Sequence, residues 1–223
     1  MCSSALTSSL AKTDAQSVYV FAHGAGAGMN HPFMQRAAAA LEARGIATFR
    51  YEFPYMQAKK SRPDPPAVAE EAVRKAVAEA ARQHPGLPIM AGGKSFGGRM
   101  TSQAQASTPM PGVRGLVFFG FPLHPPGRPG IDRAQHLTSV DVPMLFLQGT
   151  RDEFAQLDLL QGVVKRLGDR ATLHLVNDGD HSFKVTKRTG KTEADVMNEL
   201  AETFQQWAAR VVSPVATPRG EHA

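Results

Sequence analysis

Four glycines in seven residues, Gly92-Gly93-Lys94-Ser95-Phe96-Gly97-Gly98, constrain the fold of this chain more than any other feature. Glycine at such density marks two stretches of backbone that nearly touch, because any Cβ would keep them apart. The flanks say which elements meet there. Leu87-Pro88-Ile89-Met90-Ala91-Gly92 reads as a short apolar strand, and the residues from Gly97 to Ala104 open a helix of small side chains. The central pentapeptide matches G-x-S-x-G, in which a strained turn from strand to helix lifts a serine hydroxyl above the edge of a sheet. An ordinary helix N-cap would explain Ser95 but not the four glycines.

The rest of the chain alternates strand and helix patterns around this turn. Ser17–Ala22 is a near-continuous apolar run, the signature of a parallel strand buried on both faces. Met34, Ala37, Ala38 and Leu41 lie at helical spacing, with Gly45 as the stop. Further strands are expected at 46–53, 113–121, 143–148 and 172–176. Helices are expected through Val73–Ala80, through Leu157, Leu160, Val164 and Leu167, and from a capping box at Thr192 and Asp195 through Leu200, Phe204, Trp207 and Val211. Six strands alternating with helices predict an α/β fold, a doubly wound and mostly parallel six-stranded sheet flanked by helices. Residues 17–211 are read as one domain between flexible tails at 1–16 and 212–223. In such sheets ligand chemistry gathers at the carboxyl ends of the strands.

The polar residues at those ends form a chemical set. Gly149-Thr150-Arg151-Asp152 follows one strand and Asp178-Gly179-Asp180-His181-Ser182-Phe183 follows the last. With Ser95, the chain order is Ser, Asp, His. A serine hydroxyl is too weak an acid to attack a carbonyl unaided, so a histidine takes its proton and a carboxylate holds the histidine. Ser95, Asp152 and His181 are therefore the candidate catalytic residues. Asp180 is the rival acid, disfavoured because it adjoins His181, and Asp152 as a helix cap is the plainer alternative. His23, His124 and His174 are the other candidate bases. His23-Gly24-Ala25-Gly26-Ala27-Gly28 follows the first strand, so the backbone N–H groups of Ala25 and Phe96 are the candidate oxyanion donors. Lys94, Arg99 and His124 are candidate substrate contacts, and Lys94, Arg99 and Arg151 are expected to place three cations near the carboxyl edge, where an anionic acyl substrate would be favoured. The loops 54–66 and 121–127 are the expected pocket walls.

Nucleotide-binding readings fail on spacing. The dinucleotide fingerprint would need glycine where Met29 stands, and a P-loop ending at Gly93-Lys94-Ser95 would begin with glycine where Pro88 stands. Composition excludes other classes: 42% hydrophobic and 20% charged residues are ordinary for a globular protein. The net charge of +5 is scattered, so neither a nucleic-acid partner nor a membrane partner is expected. The single cysteine, Cys2, fits a reducing cytoplasm, and no leader-like n-region precedes the domain.

Over residues 17–211 the chain resembles the α/β-hydrolase superfamily, most of all its compact, dienelactone-hydrolase-like members. The strings Phe53-Pro54-Tyr55, Gly92 to Arg99, Gly120 to Gly127 and Gly179 to Phe183 are similar to a bacterial branch related to the hydrolase-like domain in a subunit of the animal nonspecific-lethal acetyltransferase complex. The resemblance implies a minimal fold with no lid domain, and Ser95, Asp152 and His181 in the triad positions. Dienelactone hydrolases proper carry a cysteine nucleophile, which this chain lacks. The expectation is a cofactor-free serine hydrolase of a small ester, thioester or lactone. The alternative is a non-catalytic interaction module on the same fold, binding a protein or nucleic acid.

Overall fold

The computed structural model describes residues 6–9 and 15–213. The described chain runs β1 (Leu6–Ser9), β2 (Ser17–Ala22), α1 (Pro32–Glu42), β3 (Ile46–Tyr51), α2 (Pro54–Gln57), α3 (Pro66–Gln83), β4 (Ile89–Lys94), α4 (Phe96–Ser107), β5 (Val113–Phe119), β6 (Met144–Gly149), α5 (Leu157–Leu167), β7 (Ala171–Val176) and α6 (Glu193–Val212). Short 3-10 turns lie at Asp132–Ser139, Gly168–Arg170 and Lys187–Thr189.

One sheet takes the strands in the order β1-β3-β2-β4-β5-β6-β7. The six strands from β2 to β7 are parallel. The expected doubly wound sheet is present, with one addition: β1 pairs antiparallel with β3, Leu6 opposite Tyr51 and Ser9 opposite Thr48. The sheet thus has seven strands rather than six, and residues 6–9 leave the N-terminal tail. Leu-Thr-Ser-Ser carries no apolar run, so nothing in its pattern announced an edge strand held by backbone pairing. The rest of that tail lies outside the described residues except 15 and 16, as does the C-terminal tail from residue 214 onward.

The two-sided burial expected of parallel strands is observed. In β2, Val18, Val20 and Ala22 face α3, α4 and α5, while Tyr19 and Phe21 face α1 and α6. The second face is an aromatic layer: Phe204 of α6 meets Tyr19 edge-on with ring centroids 4.9 Å apart, and the Tyr19 hydroxyl donates to the Val117 carbonyl at 2.8 Å. Thr192 and Asp195 form the expected capping box of α6. No helix among the described residues is long and apolar enough to cross a membrane.

The topology fixes where a site can form. From β2 the chain passes through α1 to β3 on one side, then returns through α3 to β4 on the other. The connections diverge at the carboxyl ends of β2 and β4 and leave a crevice between them. Phe204→Ala would remove the ring that anchors α6 to this sheet. It is expected to lower stability by ~3–5 kcal/mol in urea unfolding; a loss under ~1 kcal/mol would mean that the aromatic layer is not a cooperative part of the core.

Candidate active site

Ser95 stands between β4 and α4 with φ 48° and ψ −112°, a backbone conformation that side chains other than glycine rarely adopt. It occupies the N-cap position but its side chain makes no capping hydrogen bond, so the hydroxyl is free for other use. The glycines explain how the strain is tolerated. A Cβ on Gly97 would lie 2.6 Å from the carbonyl oxygens of both Ala22 and His23, and one on Gly93 would collide with the Ala22 carbonyl. At Gly92, where φ is 153°, it would fall on the carbonyl of Val117.

Two loops bring the partners to Ser95. Gly149 ends β6 against the backbone of Gly179 and Asp180, and the Arg151 amide donates to the Gly179 carbonyl at 2.8 Å. This pins the loop bearing Asp152 to the loop bearing His181. The His181 Nδ1–H donates to Asp152 Oδ2 at 2.7 Å, which leaves Nε2 as acceptor toward Ser95 Oγ at 2.9 Å. Asp152 is buried, and its carboxylate also accepts from Gln148 Nε2 at 2.5 Å and from the Phe154 amide at 2.8 Å. Gln148 in turn accepts the Phe121 amide at 2.8 Å, so the acid is held by a network with donors on both oxygens. The Phe154 ring lies over the His181 imidazole, centroids 4.3 Å apart. Asp180 does not face the imidazole; its Oδ1 accepts the amides of Ser182 and Lys184 and shapes the loop.

On the other side of Ser95, the loop His23–Gly28 is held from below. His23 donates from Nδ1 to the Gly24 carbonyl at 2.8 Å and accepts the Phe53 amide at Nε2 at 3.1 Å. Burial pushes its pKa below the ordinary histidine range, so it is a neutral brace. The Tyr55 hydroxyl accepts the Gly26 amide at 3.0 Å. Ala25 lines the cavity beside Ser95, and Phe96 is the first residue of α4, whose amide has no acceptor within its helix.

The cavity at Ser95 measures about 460 Å³. Its apolar wall comes from Phe33 and Met34 of α1, Phe183, and Val196 and Met197 of α6; Lys94, Phe154 and His181 complete the inner part. The loops 54–66 and 121–127 are not its walls. Part of the first coils into α2 and packs Tyr55 under the His23 loop, and the second is clipped down by His124. That histidine does not line the cavity: it donates from Nδ1 to the Pro125 carbonyl at 2.9 Å and accepts the Gln156 amide at Nε2 at 3.0 Å, which uses both ring nitrogens. Arg99 is also outside the cavity, beside Arg133 and His136, where α4 meets the 3-10 turn Asp132–Ser139. Arg151 is exposed and turns to the Asp178 carbonyl at 3.5 Å. His174 pairs with Glu199 at 2.9 Å. Of the expected cations only Lys94 reaches the site. Among the described residues no three His, Cys, Asp or Glu side chains cluster as a metal site.

Sequence reasoning missed Gln148, Phe154 and the α1 and α6 wall. Gln148 did leave a signal, as a polar residue closing the otherwise apolar strand Met144–Gly149. The wall left none, because apolar residues such as Phe33 and Met197 carry no mark that separates a cavity lining from helix core.

Comparisons with known proteins agree with this architecture. A family described as alpha/beta hydrolase domain matches residues 15–209. An alpha/beta serine hydrolase without a lid from Xanthomonas campestris is 21% identical, covers 94% of this chain and 90% of its own, and superposes with a TM-score of 0.70. A dienelactone hydrolase from Anabaena variabilis is 19% identical over 89% of this chain and 88% of its own, TM-score 0.68. An esterase domain from Rhodothermus marinus is 16% identical over 89% and 88%, TM-score 0.65. At these identities the solved structures share the fold.

Two measurements probe the geometry. Gly97→Ala sets a methyl against two fixed backbone carbonyls, and is expected to cost ~1–3 kcal/mol and to displace Ser95; an unchanged urea midpoint would show that the turn has slack. Lys94, partly buried, has its pKa lowered by desolvation from 10.5 to about 8, against the opposing pull of Asp152 and Asp180. Between these values the unfolded chain keeps a proton that the native state has released, so stability should rise with pH from about 8 toward 10. In Lys94→Met that rise should be missing; parallel profiles for the two proteins would contradict the lowered pKa.

Proposed function

The chain belongs to the alpha/beta hydrolase domain family, and on that premise we propose that it is a serine hydrolase cleaving a small carboxylic ester, thioester or lactone through an acyl-enzyme. The observation that carries this reading is the unbroken chain from Ser95 Oγ through His181 to the buried Asp152, 2.9 and 2.7 Å at its two links. Ser95 Oγ attacks the acyl carbon as its proton passes to His181 Nε2. Asp152 holds the imidazole tautomer and offsets the imidazolium charge that forms. The tetrahedral oxyanion accepts from the Ala25 and Phe96 amides, a contribution on the order of 3 kcal/mol for each donor. Collapse expels the alcohol or thiol, which takes its proton from His181 Nε2. Water then attacks the acyl-enzyme, giving a proton to His181, and the carboxylic acid leaves as Ser95 recovers the proton.

The access route supports a small substrate. The segment between β5 and β6, where a lid would be inserted, packs its 3-10 turn against α4 instead of over Ser95. A site of this kind stays open to water and suits short acyl groups.

Labelling with a fluorophosphonate tests the nucleophile without knowledge of the substrate. The wild-type protein should label at Ser95, and Ser95→Ala should fold and not label; labelling that persists in that variant would remove Ser95 from the mechanism. Asp152→Asn should lower kcat by roughly 10⁴-fold, while Asp180→Asn should be far milder. The opposite ranking in steady-state kinetics would make Asp180 the orienting acid.

A further inference from the structure

Lys94 is an ammonium without a counter-ion inside the acyl cavity. It ends β4 on the same sheet face as Met90, toward α1 and α6, and lines the cavity beside Ser95. Its Nζ donates to the His181 carbonyl at 2.7 Å and lies 5.9 and 5.8 Å from the ring centroids of Phe33 and Phe183. An ammonium has three protons to donate, and this carbonyl accepts one. None of the ion pairs among the described residues includes Lys94; Asp152 and Asp180 act on it only at longer range. The other charged residues of the cavity are Arg36, Lys184 and Glu193, and its one acid, Glu193, is paired with Arg36 at 3.5 Å.

Placing a cation against Phe33, Phe183 and other apolar side chains costs free energy unless an anion joins it. Among the described residues no carboxylate pairs with it, and a cavity opens beside it. The ammonium also stands close to the chemistry: a Cβ on Gly120 would lie 3.1 Å from Lys94 Nζ and 3.4 Å from His181 Cε1, so the two groups border one small space.

We propose that this pocket selects acyl groups ending in a carboxylate, the half-esters or half-thioesters of short dicarboxylic acids, with the free carboxylate paired to Lys94 Nζ. The assignment rests on the serine-hydrolase reading above. The apolar wall holds the methylenes, and the cation meets the far end of the acyl chain.

The test compares two nitrophenyl esters of matched shape: the half-ester of glutaric acid, and the 5-methylhexanoate, in which two methyl groups replace the carboxylate oxygens. At low salt the half-ester should have the higher kcat/KM by about five- to tenfold, and the preference should shrink as salt screens it. Lys94→Met should abolish the preference and Lys94→Arg should keep part of it. If Lys94 only holds the His181 carbonyl, Lys94→Met slows both esters alike and leaves their ratio intact, which overturns the proposal. So does a wild-type preference for the neutral ester. Should neither ester turn over, calorimetry of Ser95→Ala with monomethyl glutarate and methyl 5-methylhexanoate reads the same selectivity as binding, and equal affinity, or no binding of either ester, overturns it. Failure of the hydrolase reading would appear separately, as a wild-type protein that no fluorophosphonate labels at Ser95.

Discussion

The approach of the Gly97 backbone to the carbonyls of Ala22 and His23 sets the positions of the other site elements. It brings the start of α4 down onto the end of β2, so that Ser95, at the top of the turn, faces the loop that begins at His23. Had α4 stood one methyl further out, Ser95 would be carried away from that loop. The turn is strained at Ser95, and the surrounding contacts sustain it: the Ser95 amide donates to the Phe119 carbonyl at 3.1 Å, and Gly92 and Gly93 press against the neighbouring strands.

The two charges beside His181 are handled in opposite ways. Asp152 is enclosed with donors on both carboxylate oxygens, from Gln148, Phe154 and His181, so its ionised form is hydrogen-bonded throughout. Its desolvation is offset within the fold, and it is presented to one ring nitrogen. Lys94 is partly buried with one acceptor and two aromatic faces, and desolvation lowers its pKa. A fully satisfied group orients another residue, whereas an unsatisfied one facing a cavity is available to a ligand. Both act on His181, one bonded to its ring and one to its carbonyl.

The histidines illustrate how neighbours assign roles to identical side chains. His23 and His124 have both ring nitrogens engaged with backbone groups, and each locks one loop to another. His174 of β7 pairs with Glu199 of α6, and His136 meets Ser102 at 2.8 Å beside Arg99, where burial and that guanidinium lower its pKa to about 4. Unlike these four, His181 has one nitrogen on a carboxylate and the other on a serine hydroxyl.

Much of this was present in the sequence, because it depends on local rules. Two-sided apolar runs specify parallel strands, glycine density specifies the tight turn, and the order of strand ends places Ser95, Asp152 and His181 on one edge of the sheet. The failures share another cause. Leu6–Ser9 became a strand through pairing with β3 rather than through its own pattern, and the cavity wall came from α1 and α6 because helices from distant parts of the chain meet above the sheet. Arg99 and His124 were near the site along the chain yet are turned away from it, by packing against the 3-10 turn and by backbone groups that occupy a ring. The sequence by itself determined the sheet, the turn and the chemical identity of the residues at the strand ends, since periodicity and steric exclusion act on neighbours. Only the tertiary structure decided which of those residues share a cavity, because a side chain's partners are set by elements that the sequence keeps far apart.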